Sequence, residues 1–244
     1  TGDIGYLEKA AHVGDYLCSE KVQSEDGAYR SKGTHYTAVI YPAKSMLELV
    51  AAERGLIGSP LWKERYVRHK ESAERAIDDL LLRLDNIQTE GDMTFEDGMI
   101  TCSALQLALR ALLEGDSARR ERYTSAAAYL MGKHQCLEQQ LIPDCRMRGG
   151  TLRYWEALDV YFVPNQVMNS PHGWTAWKIY ACYYLYLLTG EVRYLSDFMD
   201  TLGACAQFME LNGHLRWGFL PDPYIKGKVC MERTDRQHDW HPVD

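Results

Sequence analysis

The sequence predicts an all-α fold built from helical hairpins in series, and three observations predict it. Apolar residues recur at i, i+3, i+4 and i+7 through most of the chain, which is the period of a helix with one buried face. Nothing in the chain reads as a convincing multi-strand sheet. A short turn pattern also returns three times, in "LIGSPLWKERY", "LLEGDSARRERY" and "LLTGEVRY". Each copy holds leucines, a Gly, polar or acidic residues and then Arg-Tyr, as expected where one helix ends and the next begins.

Two kinds of helix alternate along the chain. The first kind is amphipathic: "YLEKAAHVGDYLCSE" (6–20), "YVRHKESAERAIDDLLLRL" (66–84), "YTSAAAYLMGKHQCLEQQL" (123–141) and "YLSDFMDTLGACAQFMEL" (194–211). The second kind is apolar almost all round, and burial on most faces is expected for it. Its copies are "YPAKSMLELVAAERG" (41–55), "MITCSALQLALRALLEG" (99–115) and "HGWTAWKIYACYYLYLLTG" (172–190). Connections from the second kind to the first are short turns. Connections in the other direction are long and rich in Gly, aromatics and charge: 21–40, 85–98, 142–171 and 212–244. All four fall on the same end of the array, and long loops on a rigid scaffold are where function concentrates.

Bulk properties narrow the function classes. A chain of 244 residues is read as one domain, 1–244. A net charge of -7 with no basic stripe argues against a nucleic-acid or anionic-membrane surface. No apolar run reaches the ~18 residues of a membrane span. The chain opens on "TGDIGYLEKA", without Met or a signal-peptide pattern, so a processed or trimmed product is expected and the compartment stays open. The seven cysteines include no CxxC pair, and buried free thiols are the expected state.

The heads of the apolar helices carry a likeness to known enzymes. "THYTAVIYPAKSMLEL" (34–49), "MTFEDGMITCSALQLAL" (93–109) and "NSPHGWTAWKIYACYYLYLLTG" (169–190) each set a His or an acid at the mouth of a small-residue-rich helix. With elaborate loops at that end, the chain resembles the (α/α) toroids of six-hairpin glycosidases and related polysaccharide lyases. The resemblance implies an (α/α)-toroid or partial toroid. Six hairpins need about a dozen helices, so this chain is expected to be its first part or a shorter variant.

What the resemblance implies about activity is carbohydrate chemistry with an oligo- or polysaccharide substrate. Glycosidic hydrolysis needs two carboxylates, an acid and a base or nucleophile. Asp97 is the leading candidate, Glu96 stands beside it, and Glu156 and Asp159 are alternative partners; N-capping of the helix is the more ordinary account of Asp97. His172, before Gly173-Trp174, suits proton transfer or hydroxyl binding, and also suits a structural histidine. His35 and Tyr36 sit at the equivalent mouth of the first apolar helix. In the 142–171 loop, Arg153, Tyr154, Trp155 and Tyr161 suit sugar stacking and carboxylate binding, or a packed surface loop. Trp174, Trp217, His238 and Trp240 complete the expected substrate-binding set. His238 and His241 lack a clear third ligand, so no metal site and no cofactor is assigned.

Hydrolysis by a carboxylate pair is therefore the first expectation. β-Elimination from a uronate-containing glycan by a Tyr/His pair is the alternative within carbohydrate chemistry. A non-catalytic helical-repeat module that binds glycan or protein is the alternative from another class.

Overall fold

The computed structural model describes residues 2–29, 37–87, 97–138, 149–151, 175–206 and 212–213. Among them the chain is all-helical: seven α-helices, no strand beyond two isolated bridges, and short 3-10 turns after two of the helices. The helices are α1 (Ile4–Leu17), α2 (Thr37–Glu53), α3 (Pro60–Leu82), α4 (Asp97–Leu113), α5 (Ser117–His134), α6 (Thr175–Thr189) and α7 (Val192–Ala206).

Capping chemistry moves the helix starts away from the Arg-Tyr pairs. Ser59 is the extended N-cap of α3 and Pro60 follows it in the first turn, where the missing N–H costs nothing. Asp116 caps α5 by accepting from the Arg119 amide at 2.8 Å, and Asp3 caps α1 by accepting from the Gly5 amide at 2.8 Å. Tyr66 and Tyr123 thus lie inside their helices rather than opening them. α2 begins at Thr37 and contains Pro42, which the sequence pattern had set at its head.

Packing follows the alternation. α2, α4 and α6 lie side by side, and each pairs with the helix after it: α2 with α3, α4 with α5, α6 with α7. α1 runs parallel to α3, because His12 meets Arg65, Cys18 meets the Arg68 carbonyl, and Gln23 meets Ser72 in ascending order. The second helix of each hairpin therefore ends where the next one's long connection begins.

Burial differs among the three apolar helices. Every residue of α4 from Asp97 to Ala111 is buried, since α2, α3, α5 and α6 enclose it. α6 departs from the expectation of burial on most faces. Lys178, Ala181, Cys182 and Leu185 are buried, yet Tyr180 (52%), Tyr183 (39%) and Leu187 (50%) are exposed. α4 and α7 flank α6, with α5 and Tyr41 of α2 touching it as well, and these neighbours leave Tyr180 and Leu187 open while Tyr183 rests at the rim against Phe198 of α7.

The described thiols are free as expected, but burial holds for only two of them: Cys136 is exposed, and Cys18 and Cys205 are partly buried. Cys18, Cys102, Cys136, Cys182 and Cys205 are free, and Cys102 and Cys182 are fully buried. Burial pushes both of those thiols up to about 12, so they are packing groups rather than nucleophiles. No described helix is long and apolar enough to cross a membrane.

Candidate functional site

Two buried histidines distinguish themselves among the described residues, and their partners decide which marks a site. His69 of α3 is saturated. Its Nδ1 faces the Glu53 carboxylate of α2 at 2.9 Å, and its Nε2 faces Asp15 of α1 at 3.0 Å. Asp15 in turn pairs with Arg68 and, at 3.3 Å, with Arg65. Every polar atom there has a charged partner, so the cluster fastens α1 and α2 onto α3 and leaves nothing for a ligand.

His134 is arranged differently. It is the last residue of α5, fully buried, and its Nε2 lies 2.5 Å from Oδ1 of Asp97 at the head of α4. A carboxylate only accepts, so Nε2 carries the proton in that contact. The other Asp97 oxygen accepts from the Thr151 hydroxyl at 2.9 Å. Nδ1 of His134 is buried without a hydrogen-bond partner, and Oε1 of Glu138 stands 3.9 Å away. An orphaned buried imidazole nitrogen is uncommon and needs a chemical reason.

Glu138 extends the cluster outward. Its side chain is 23% exposed, and Oε1 pairs at 2.8 Å with Nζ of Lys178, which is 1% exposed on the first turns of α6. A residue bridge between Glu138 and Thr151 ties the exit of α5 to 149–151, so one backbone contact places two members of the chain Thr151–Asp97–His134···Glu138–Lys178. Gly149 makes this possible: at φ 81° its backbone lies directly on Asp200 and Thr201 of α7, where any Cβ would collide. Asp197 of α7 borders the group; burial raises its carboxyl, and Lys178 partly opposes that. Burial, with the Asp97 charge adding to it, likewise lifts Cys205 to about 11.

Chain direction explains why these groups meet. Asp97 and Lys178 start α4 and α6, whereas His134 ends α5, and antiparallel hairpins bring starts and ends to one side. That is the end where the sequence puts its long connections. Asp97 is thus brought together with residues that sequence reasoning missed: His134, Glu138, Thr151 and Lys178. Two signals were present. Lys178 is the lone cation of an otherwise apolar helix, and His134 with Glu138 has i, i+4 spacing at the end of an amphipathic one.

The other expected site residues, Glu156, Asp159, His172, His35, Tyr36, Glu96, Arg153, Tyr154, Trp155, Tyr161, Trp174, Trp217, His238 and Trp240, lie outside the described residues. Trp177 lies within them, its ring 4.8 Å from that of Tyr41, joining α6 to α2 at the position just before Lys178. No group of three or more His, Cys, Asp or Glu that would hold a metal occurs among the described residues.

No protein-family model matches the chain, and no curated protein matches it. The chain is similar to a solved structure of a polysaccharide lyase at 13% identity and a TM-score of 0.48, over 84% of this chain and 35% of that one. It therefore spans about a third of that protein's length, and at 13% identity the likeness assigns no activity.

Proposed function

We propose that this chain is a carbohydrate-active enzyme that cleaves glycosidic bonds in an oligo- or polysaccharide, on a partial (α/α) toroid. One observation carries the reading: acid, imidazole, second acid and buried ammonium meet at the end of the hairpins that bears the long connections. Carboxylates in contrasting surroundings are what hydrolysis requires. Glu138 is half-buried and pairs with the Lys178 ammonium at 2.8 Å, Asp197 has its carboxyl raised by burial, and Asp97 is fully enclosed. Hydrolysis is the first reading.

A specific observation favours elimination as the second. The unpartnered Nδ1 of His134, with Asp97 behind the ring, has the form of a general base. Abstraction of a proton next to a uronate carboxylate is a use for such a base, reached through Glu138 because the ring itself is fully buried. A non-catalytic binding module needs no buried imidazole held in one tautomer, and the cluster weighs against it.

The experiment is a panel of neutral and uronate-containing glycans, read by new reducing ends and by ultraviolet absorbance. Hydrolysis gives reducing ends alone, and elimination gives both signals, because it leaves a conjugated unsaturated uronate. Absence of both across the panel, in a folded sample, would overturn the carbohydrate reading.

A further inference from the structure

We propose that Glu138 is the substrate-facing carboxylate of this site, and that it exchanges its proton with Nδ1 of His134 beneath it. The inference rests on the carbohydrate reading and gives its proton a route. Three features assign the roles. Asp97, His134 and Lys178 are 0–1% exposed, so none of them meets a ligand from the outside, whereas the Glu138 side chain is 23% exposed. Nδ1 of His134 is the one ring nitrogen in the cluster with an open lone pair, and Glu138 is the acid nearest to it at 3.9 Å. Asp97, itself held by Thr151, keeps the proton on Nε2 and so keeps Nδ1 basic.

The step balances without any further reactant. Glu138 takes a proton from the water or sugar hydroxyl that attacks the substrate, and the electron pair of that O–H bond goes to the attacking oxygen. The proton then passes from the Glu138 carboxyl oxygen to the Nδ1 lone pair. His134 becomes an imidazolium between two carboxylates; the reverse transfer returns the proton to Glu138, which gives it to the glycosidic oxygen as the C–O bond breaks and its electron pair goes to that oxygen, and this restores the resting state. The 3.9 Å gap is longer than a hydrogen bond, and a torsion of the Glu138 side chain shortens it to the roughly 2.7–3.0 Å that transfer needs. Among the described residues, the titratable and charged groups of this cluster are Asp97 on α4 and Glu138 after α5 at the ring, with Lys178 on α6 and Asp197 and Cys205 on α7 beyond them. Lys178 is the single cation among these described groups. Its Nζ lies 2.8 Å from Oε1 of Glu138.

Asp97, His134 and Thr151 act through Glu138 and are positioning residues; Glu138 alone is assigned contact with the substrate. The test joins ring-nitrogen NMR on histidine-labelled protein, with His134→Gln for assignment, to the pH–rate profile of the active glycan. The expected spectrum has an unprotonated, acceptor-type Nδ1 and a protonated Nε2, and Glu138→Gln moves the Nδ1 signal far more than the Nε2 signal. Glu138→Gln is expected to lower kcat by about 10²-fold with little change in KM, and to remove the ascending limb of the profile. Glu138→Asp keeps the charge, retains the limb, and serves if the glutamine variant folds poorly.

A protonated Nδ1, or an Nδ1 signal unmoved by Glu138→Gln, overturns the relay. So does a glutamine variant with wild-type kcat. If the wild-type protein turns over no glycan, the carbohydrate reading is what falls, and the NMR arm still decides whether Glu138 and His134 share a proton path.

Discussion

At the scale of single residues, the same imidazole is used twice, and the difference lies in its partners. His69 has a carboxylate on each nitrogen, whereas His134 has one carboxylate and one open position. Thr151 is the inexpensive place to disturb the second arrangement. Thr151→Val removes a donor to a buried carboxylate, and loses about 1–3 kcal/mol, read as a lowered denaturation midpoint. Asp97→Asn is more severe for activity, since an amide offers either its oxygen or its nitrogen to His134 and no longer fixes the tautomer. Activity on a cleaved glycan is expected to drop at least about 10²-fold while helicity by circular dichroism is retained. Asp15 gives a pH prediction. Burial acts to raise its carboxyl, but hydrogen bonds from Arg68 and His69 and the Arg65 charge outweigh burial and hold it below the usual range. A depressed carboxyl stabilises the fold above its unfolded value, near ~3.9, and that contribution fades as pH falls through the folded value. Acid titration of the wild type should therefore lose α1 docking below about pH 4, and Asp15→Asn should flatten that part of the curve.

At the scale of elements, the helical period was legible and the helix starts were not. Residues 69, 72, 73, 76, 77 and 80 of α3 are buried in the rhythm their apolar and small side chains announce. The starts were misread because Arg-Tyr recurs, while the physical signals, Ser59-Pro60 and Asp116, are the ones that satisfy first-turn amides. α6 is the instructive case. Its composition reads as buried all round, yet burial is a property of neighbours, and those it has leave Tyr180 and Leu187 open. Two leucines two positions apart separate these readings. Leu185, fully buried, is expected to cost about 2–5 kcal/mol on replacement by Ala. Leu187, half exposed, is expected to change stability by less than about 0.5 kcal/mol, and equal losses at the two sites would mean that its face is covered in solution.

At the scale of the whole molecule, the candidate site was half legible. Asp97 stood out because it heads an apolar helix, but His134, Glu138 and Lys178 come from three separate elements, and no local pattern records that they meet. What unites them is the alternation itself: hairpins in series carry the start of each apolar helix to the end of the helix before it. The same architecture makes stability graded along the chain. Each hairpin leans on its neighbours, so protection against local opening should follow how many sides are covered rather than helix propensity. α4 is enclosed from Asp97 to Ala111, whereas α1 buries only Ala11 and Gly14 and relies on the His69 cluster to stay docked. Amide hydrogen exchange is therefore expected to be slowest in α4 and fastest, among the helices, in α1. His69→Ala should accelerate α1 further while leaving α4 within a few-fold of its wild-type rate. Uniform acceleration of both helices would show that the chain opens as one cooperative unit, and would remove the basis for treating the His69 cluster as a local clasp separate from the site around His134.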